Sequence, residues 1–161
     1  RDLNWQGAGL NIMLDSQIQF YHSKNAPMLN LAARIAPFDF KTAKRFWLRN
    51  SMPDSSIRWL DMALVKGPIR DASIVMAGDL GRWPFTDKAG RFSARATILA
   101  EQFKFATDWP EAQNAKLFTD FNGPGFTAIG TASFLGNPIE LKTSGIESFA
   151  KSDLKVNVHS S

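Results

Sequence analysis

The sequence contains no cysteine, which excludes a disulfide framework, a thiolate metal site and a thiol nucleophile. It has no run of about eighteen apolar residues that would cross a bilayer as a helix. The two histidines, His22 and His159, lie far apart in the sequence and form no recognisable metal or catalytic pair. A single tyrosine accompanies thirteen phenylalanines and five tryptophans, a composition that suits dry contacts in a core or on an acyl-chain surface.

Catalytic and phosphate-binding motifs are also missing. The glycines at 78–81 and 123–125 lack the lysine and the strand-to-helix context of a phosphate loop, and no serine lies in a nucleophile elbow. The carboxylates are scattered and form no short acid–base motif. We therefore predict that the chain is not an enzyme and uses no cofactor or metal. A hydrolase would require two carboxylates that face one another across a cleft.

The basic residues are scattered, although the net charge is +4 at pH 7. Their only cluster is interleaved with aromatic residues, which is typical of the solvated side of a short helix; it comprises Lys41, Lys44, Arg45 and Arg49. We therefore predict no nucleic-acid partner.

The most strongly marked element is a helix from Asp54 to Lys66. Asp54 or Ser55 can cap its first turn, and the Gly67-Pro68 pair is expected to stop it. Its apolar stripe comprises Ile57, Leu60 and Leu64. All of these local signals agree on a helix.

Most of the remaining sequence alternates between apolar and polar residues and is interrupted by Gly, Pro and Asn turns, which is typical of short antiparallel strands. Before the helix we predict strands at Leu3–Leu14, Gln17–His22 after a turn at Asp15-Ser16, and Met28–Ile35, then a short helix at Lys41–Leu48. After the helix, the predicted strands are Ala72–Leu80, Phe92–Leu99, one containing Phe103 and Phe105, Leu117–Phe121, Phe126–Leu135, Ile139–Thr143 and Asp153–His159.

The predicted fold is α+β and mainly β, with a curved antiparallel sheet and one principal helix packed on it or capping its edge. We interpret residues 1–161 as a single β-rich domain or as a segment cut from a larger protein, because the sequence starts at Arg1 without an initiator methionine. One helix covers only part of such a sheet. The sheet therefore either closes on itself as a barrel or sandwich, or leaves part of its apolar face as a groove.

A series of short motifs occurs in a fixed order between Met52 and Gly136. They are Trp59-Leu60, Ala63-Leu64, Gly67, Asp71-Ala72-Ser73, Gly78-Asp79-Leu80, Trp83-Pro84-Phe85, Gly90-Arg91-Phe92-Ser93-Ala94, and the stretch from Phe105 to Trp109-Pro110. Their order and spacing resemble the YhdP branch of the AsmA-like proteins, which are large envelope proteins of Gram-negative bacteria. About half of the chain carries the resemblance.

The resemblance implies a location and a role. Proteins of this family are anchored in the inner membrane by an N-terminal helix, project into the periplasm and support phospholipid transport toward the outer membrane and its permeability barrier. They are similar to bridge-like lipid-transfer proteins, whose β-strands build a long apolar channel. The partners implied are phospholipid acyl chains, adjoining segments of the same long chain and other envelope proteins. The family has no assigned catalytic residues or cofactors.

The sheet and the resemblance together predict an apolar groove on the concave, incompletely covered face of the sheet. Its candidate residues are Ile74, Met76, Leu80, Phe92, Ile98, Phe103, Phe105, Leu117 and Phe121. An aspartate at Ile98 or Phe103 is then expected to abolish lipid binding without unfolding the chain. The main alternative is a closed β-domain that acts as a scaffold or protein-interaction module through a strand edge or an aromatic patch.

Overall fold

The structure is a computed structural model that describes residues 2–21, 26–46, 54–83, 85, 87–104, 107–122, 125–144 and 155–160. The described helices are α1 (Phe40–Ala43) and α2 (Asp54–Ala63), with 3₁₀ turns at Lys44–Phe46 and Leu80–Arg82. The described strands are β1 (Asp2–Gly7), β2 (Leu10–Gln19), β3 (Met28–Ile35), β4 (Phe38–Asp39), β5 (Leu64–Lys66), β6 (Pro68–Asp79), β7 (Arg91–Phe103), β8 (Ala112–Asn122), β9 (Gly125–Phe134), β10 (Asn137–Ser144) and β11 (Lys155–Ser160).

These strands form one antiparallel sheet, which confirms the mainly β prediction. Its order is β1-β2-β3-β6-β7-β8-β9-β10-β11, while β4 pairs with β6 and β5 pairs with β7. Among the described strands, the first and last in this order do not pair with each other, so the sheet is open.

The register gathers apolar side chains on one face of the sheet, which we call the apolar face. Residues directly opposite one another in an antiparallel pair lie on the same face. One row of such partners crosses six strands, in the order Leu3, Leu14, Ala33, Ile74, Ala94 and Phe121. The other face, which we call the polar face, carries polar partners such as Arg95 with Asp120 and Thr131 with Glu140.

The two helices cover one end of the apolar face. Phe40 and Ala43 of α1 and Ala63 of α2 belong to the same buried cluster as Phe103 and Leu117 of the sheet. The indole of Trp59 meets the Phe103 ring edge-on, with ring centroids 6.1 Å apart. The hydrophobic core therefore lies between the helices and the ends of β6, β7, β8 and β10.

The central helix ends earlier than predicted. Helix α2 stops at Ala63, and Leu64–Lys66 continues as strand β5, with Leu64 opposite Phe103. The Lys104 N–H donates to the Ala63 carbonyl at 3.1 Å, which connects the end of the helix to the sheet. Pairing with β7 outweighs the helical preference of these residues, because each backbone group that leaves water needs a partner.

The break predicted at Asp15-Ser16 is also wrong. Strand β2 runs through both residues, because its ladder with β3 is continuous from Ile12 to Gln19. The turn lies instead at Ala8 and Gly9, where the φ angles are 52° and 86°. Long-range pairing with β3 overrides the local turn preference of an Asp-Ser pair.

Other predicted helices and strands are present in the structure, but some of them begin or end at different residues. The predicted helix at Lys41–Leu48 is the short α1 followed by a 3₁₀ turn, and its last two residues lie outside the described residues. The strand predicted around Phe103 is the end of β7, since Phe103 pairs with Ala112 on β8. Strands β3, β9 and β10 agree with prediction within two residues. The last predicted strand, Asp153–His159, is confirmed from Lys155 onward, and it continues to Ser160.

Gly67 provides a test of how closely β5 approaches β7. Its φ is +144°, and a Cβ placed there would lie 2.0 Å from the Leu99 carbonyl oxygen. We expect Gly67→Ala to lower the free energy of unfolding by about 3 kcal/mol or more, since it adds a backbone clash to an unfavourable φ. Gly136→Ala is the control, because Gly136 also has a positive φ but a Cβ placed on it would meet no atom within 4 Å. Urea denaturation that gives equal losses for both variants would contradict the close approach.

Candidate functional site

The middle of the apolar face is a strip between two covered ends. Along β6, Ala72 is buried near the helices, Ile74 and Met76 are half-buried, and Gly78 is buried again. We call the middle strip the trough. Its described residues on β3, β6, β7 and β8 include Leu31, Ile74, Met76, Ala94 and Phe121.

The trough has no strong polar feature among its described residues. Thr119 is a buried polar residue on this face, and its hydroxyl donates to the Ala96 carbonyl oxygen at 3.0 Å. The donor of the Thr119 hydroxyl therefore has its partner within the sheet. None of the described residues in the rows of Ile74 and Met76 on this face is charged.

The helices form the first boundary of the trough, and we call them the helical wall. Phe103, Leu117 and Ala72 are buried in the cluster that includes α1 and α2 residues. Ile98 packs against the same cluster while it remains partly exposed. This part of the apolar face is therefore closed to a ligand.

Three aromatic rings form the second boundary, and we call Trp83, Phe85 and Phe92 the aromatic wall. The Trp83 ring meets the Phe85 and Phe92 rings edge-on, with centroid separations of 5.5 and 5.1 Å. Phe85 is only 5% exposed. A Cβ at Gly78 or Gly90 would come within 2.9 or 2.4 Å of the Phe85 ring. The ring therefore lies directly on the backbone of the sheet.

Local polar contacts stabilise the connection between β6 and β7, which contains Trp83 and Phe85 of the aromatic wall. Asp79 accepts a hydrogen bond from the Gly81 N–H, and Arg82 forms an ion pair with Asp87. The hydrogen bond from the Ala89 N–H lowers the pKa of the Asp87 carboxyl, and the bond and charge of Arg82 lower it further. Ionised Asp87 therefore holds both ends of this connection.

The lowered pKa predicts how this stabilisation responds to pH. Because the pKa of folded Asp87 lies below its ordinary value of 3.8, ionised Asp87 stabilises the folded chain fully above about pH 4. That stabilisation is lost as the pH falls through the lowered pKa. We expect Asp87→Asn to lower the melting temperature at about pH 6 and to have a progressively smaller effect as the pH falls below about 4. A difference that persists unchanged in acid would contradict this role.

The apolar face continues beyond β3 to the β1 edge of the sheet. Leu3 and Trp5 of β1 are exposed, and so is Ile18 of β2. Leu3 is opposite Leu14, and Ile18 is opposite Leu29. The trough is therefore open toward this edge.

The structure brings together some of the predicted groove residues and separates others. Ile74, Met76 and Phe121 lie in the trough, and Phe92 lies in the aromatic wall. Phe103 is 3% exposed and lies in the same buried cluster as Leu117, so both belong to the core and not to the trough. An aspartate at Phe103 is thus expected to unfold the chain, contrary to the expectation from sequence.

Leu80 does not continue the alternation of Ile74 and Met76 along β6. Strand β6 ends at Asp79, whose side chain caps a 3₁₀ turn that begins at Leu80. The cap ends the alternation one residue before the predicted end of the strand. Phe105 lies outside the described residues.

Sequence reasoning missed two parts of this site. The apolar rows of β1, β2 and β3, which include Leu14 and Leu31, continue the trough, and the alternation around them was a usable signal. The packing of Phe85 on Gly78 and Gly90 has a weaker signal in the sequence. The signal is two glycines at strand ends, and from sequence alone such glycines indicate turns.

Two shallow, open depressions lie beside β2, β3 and β6, and residues of both faces line them. The larger has a volume of about 720 Å³, and its lining includes residues of both faces, among them Met13, Arg34 and Val75 as well as Leu14, Ala33 and Ile74. The smaller, of about 550 Å³, is lined in part by Gln17 and Asn30. Neither is an enclosed cavity.

The described residues include no group of three or more potential metal ligands and no helix long and apolar enough to cross a membrane. Among the described residues, the open sheet and its half-buried apolar strip define a β-rich protein with apolar side chains at its surface. The family model described as "YhdP protein" matches residues 2–161. The chain therefore belongs to the YhdP protein family, and the resemblance inferred from its motifs is confirmed.

A curated relative agrees with this family. Over 103 residues the chain is 26% identical to the Escherichia coli (strain K12) protein named "Intermembrane phospholipid transporter YhdP". The aligned region covers 64% of this chain and 8% of that protein, so the chain spans a small part of its relative's length. No solved structure matches the chain.

Proposed function

We propose that the chain is a non-enzymatic, periplasmic segment of a protein that transports phospholipid between the inner and outer membranes and so maintains the outer-membrane barrier. In this proposal the full-length protein is anchored in the inner membrane, and the trough holds acyl chains. The observation that carries the proposal is the apolar row that crosses six strands, from Leu3 to Phe121. The relative's name as a phospholipid transporter supports the choice of ligand.

An apolar trough solves the main energetic problem of moving a lipid through water. Each methylene that leaves water contributes roughly 0.8 kcal/mol, so ten methylenes contribute roughly 8 kcal/mol. A bilayer provides about the same stabilisation, and transfer from bilayer to trough is therefore close to balanced. The tails then cross the aqueous space without the large barrier that exposure would impose.

The lack of charge in the trough rows favours movement over capture. A fixed cation would bind a phosphate headgroup and hold the lipid at one position. The described residues in the rows of Ile74 and Met76 are uncharged, and their apolar side chains provide dispersion and hydrophobic contacts that change little when a chain slides along the row. Headgroups would remain in water above the trough.

The edges of the sheet fit a conduit built from more than this chain. An unpaired edge strand presents backbone donors and acceptors that can pair with another strand. At the β1 edge these groups are flanked by the exposed apolar residues Leu3 and Trp5. We propose that an adjoining segment of the same long protein pairs at this edge and extends the trough.

Native mass spectrometry of the purified chain, followed by extraction and identification of bound lipid, tests the proposal. The expected result is chain with bound phospholipid, which detergent exchange removes. Reconstitution with diacyl phospholipid vesicles, followed by reisolation of the chain, guards against loss of lipid during purification. A chain that stays lipid-free after both treatments would overturn the proposed function.

A protein-interaction role has one supporting observation. Phe118 and Ile129 are directly opposite one another on the polar face, and their side chains are 50% and 52% exposed. Such an apolar pair on a polar face is a suitable anchor for an envelope protein. A lipid-free chain that loses a partner on Phe118→Ala would favour this second function.

A further inference from the structure

The aromatic wall occupies a place on the apolar face that side chains would normally fill. Gly78 and Gly90 lie side by side, since a Cβ on Gly78 would be 2.9 Å from the Gly90 Cα. The same Cβ would be 2.9 Å from Phe85 Cε1, and a Cβ on Gly90 would be 2.4 Å from Phe85 Cδ1. Two residues without side chains thus create a gap, and a ring from outside the strands fills it.

The backbone holds Phe85 in this gap by a strained and well-bonded turn. Phe85 has a φ of 60°, which is unfavourable for a bulky residue. Its N–H donates to the Arg82 carbonyl at 2.7 Å, and its own carbonyl accepts from the Lys88 N–H at 3.1 Å. A side chain exposed at the surface would need neither the unfavourable φ nor these two hydrogen bonds. The turn therefore holds the Phe85 ring in a defined position on the sheet.

The two walls leave a strip of limited width. Ala72 lies at the helical wall and Gly78 at the aromatic wall, and the six-residue rise between them along β6 is about 20 Å. Subtracting van der Waals contact of about 3.5 Å at each wall leaves about 13 Å for a ligand. With carbon atoms in contact at about 4 Å, this strip accommodates two or three hydrocarbon chains side by side.

We propose that Phe85, supported by Trp83 and Phe92, sets the width of the trough and restricts bound acyl chains to the strip that contains Ile74 and Met76. The ring takes the place of an acyl chain over Gly78 and Gly90 and closes this end of the apolar face. The ligand class is a lipid whose one or two tails lie side by side within this strip. The inference rests on the proposed function.

The test uses a diacyl glycerophospholipid with a diazirine on one acyl chain, added to the purified chain in vesicles. After irradiation, mass spectrometry of peptides locates the labelled residues. In the unmodified chain we expect labelling of Ile74, Met76 and Ala94, with about tenfold less at Gly78 and Gly90, because the ring blocks contact there. Equal labelling on both sides of Phe85 would overturn the inference.

Three variants make the result specific. Phe85→Ala is expected to raise labelling at Gly78 and Gly90 about tenfold, because it uncovers the gap. Gly90→Ala displaces the ring while keeping it in the chain, and its expected labelling shifts in the same direction. Phe118→Ala removes a phenyl ring from the other face and is expected to leave the pattern unchanged.

The outcomes separate the two proposals. Labelling that stays confined to the strip in both Phe85→Ala and Gly90→Ala would overturn the role of Phe85 and leave the lipid-binding function standing. No labelling of the unmodified chain at any position would overturn the proposed function itself. Circular dichroism establishes which variants are folded, and the unmodified chain tests the boundary even where a variant unfolds.

Discussion

Replacing Ile74 with aspartate is expected to reduce the phospholipid bound by the purified chain at least about tenfold, since a desolvated carboxylate costs more than about 1.4 kcal/mol. Ile74 lies in the middle of the trough, opposite Ala33 on one side and Ala94 on the other. An acyl chain that covers it would remove the charge from water. Quantification of extracted phospholipid per chain gives the result directly.

The next residue along β6 provides the control. Val75 follows Ile74 in the strand, is 41% exposed and lies on the opposite face, between Ala32 and Ser93. Val75→Asp introduces the same charge at almost the same place in the chain, and we expect it to retain lipid. Equal loss in the two variants would mean that lipid does not distinguish the faces, which would contradict the trough.

Replacing Phe103 with alanine is expected to lower the free energy of unfolding by about 3–5 kcal/mol. Phe103 is 3% exposed, lies opposite both Leu64 and Ala112, and receives the edge of the Trp59 ring. The variant leaves a cavity between the helices and the sheet and removes an aromatic contact. Equilibrium urea denaturation, read by far-ultraviolet circular dichroism, measures the loss.

Phe118→Ala is the matched variant for this measurement. Phe118 is 50% exposed on the polar face of the neighbouring strand β8, so we expect its loss to cost less than about 1 kcal/mol. If both variants cost the same, Phe103 would not be part of a closed core. The apolar face would then be uncovered at this end as well.

These two results together separate the part of the sheet that the helices cover from the part that is available to a ligand. Phe103 and Ile74 lie on the neighbouring strands β7 and β6, Phe103 in the buried cluster with the helices and Ile74 in the apolar row. Helices cover the first and no described element covers the second, so one contributes mainly to stability and the other is available to a ligand. A protein of this size needs the covered part to fold, since the rest of the face stabilises it less.

The local pattern was sufficient for the strands that later form the trough. Alternation placed Ile74 and Met76 on one face of β6 and Leu117, Thr119 and Phe121 on one face of β8, and the register agrees. A strand has a side-chain period of two, so its two faces can be distinguished without knowledge of its neighbours. The same pattern carries no information on which part of a face another element covers.

Long-range pairing decided the boundaries that local signals assigned wrongly. Leu64 has good helical spacing, but its place opposite Phe103 makes it part of β5. Asp15 and Ser16 are good turn residues, but their partners Ala32 and Leu31 keep them in β2. A ladder provides hydrogen bonds along its whole length, and their sum exceeds the preference of one or two residues.

The amino-acid pattern alone thus established a mainly β chain, the faces of its central strands, its family and the lack of a recognisable catalytic motif. The folded arrangement decided that the described strands form an open sheet, that the helices cover Phe103 and Leu117, and that Phe85 lies on Gly78 and Gly90. Alternation is a local property of the backbone, whereas covering a face requires residues far apart in sequence to meet. The extent of the trough therefore depends on contacts that no single stretch of the sequence contains.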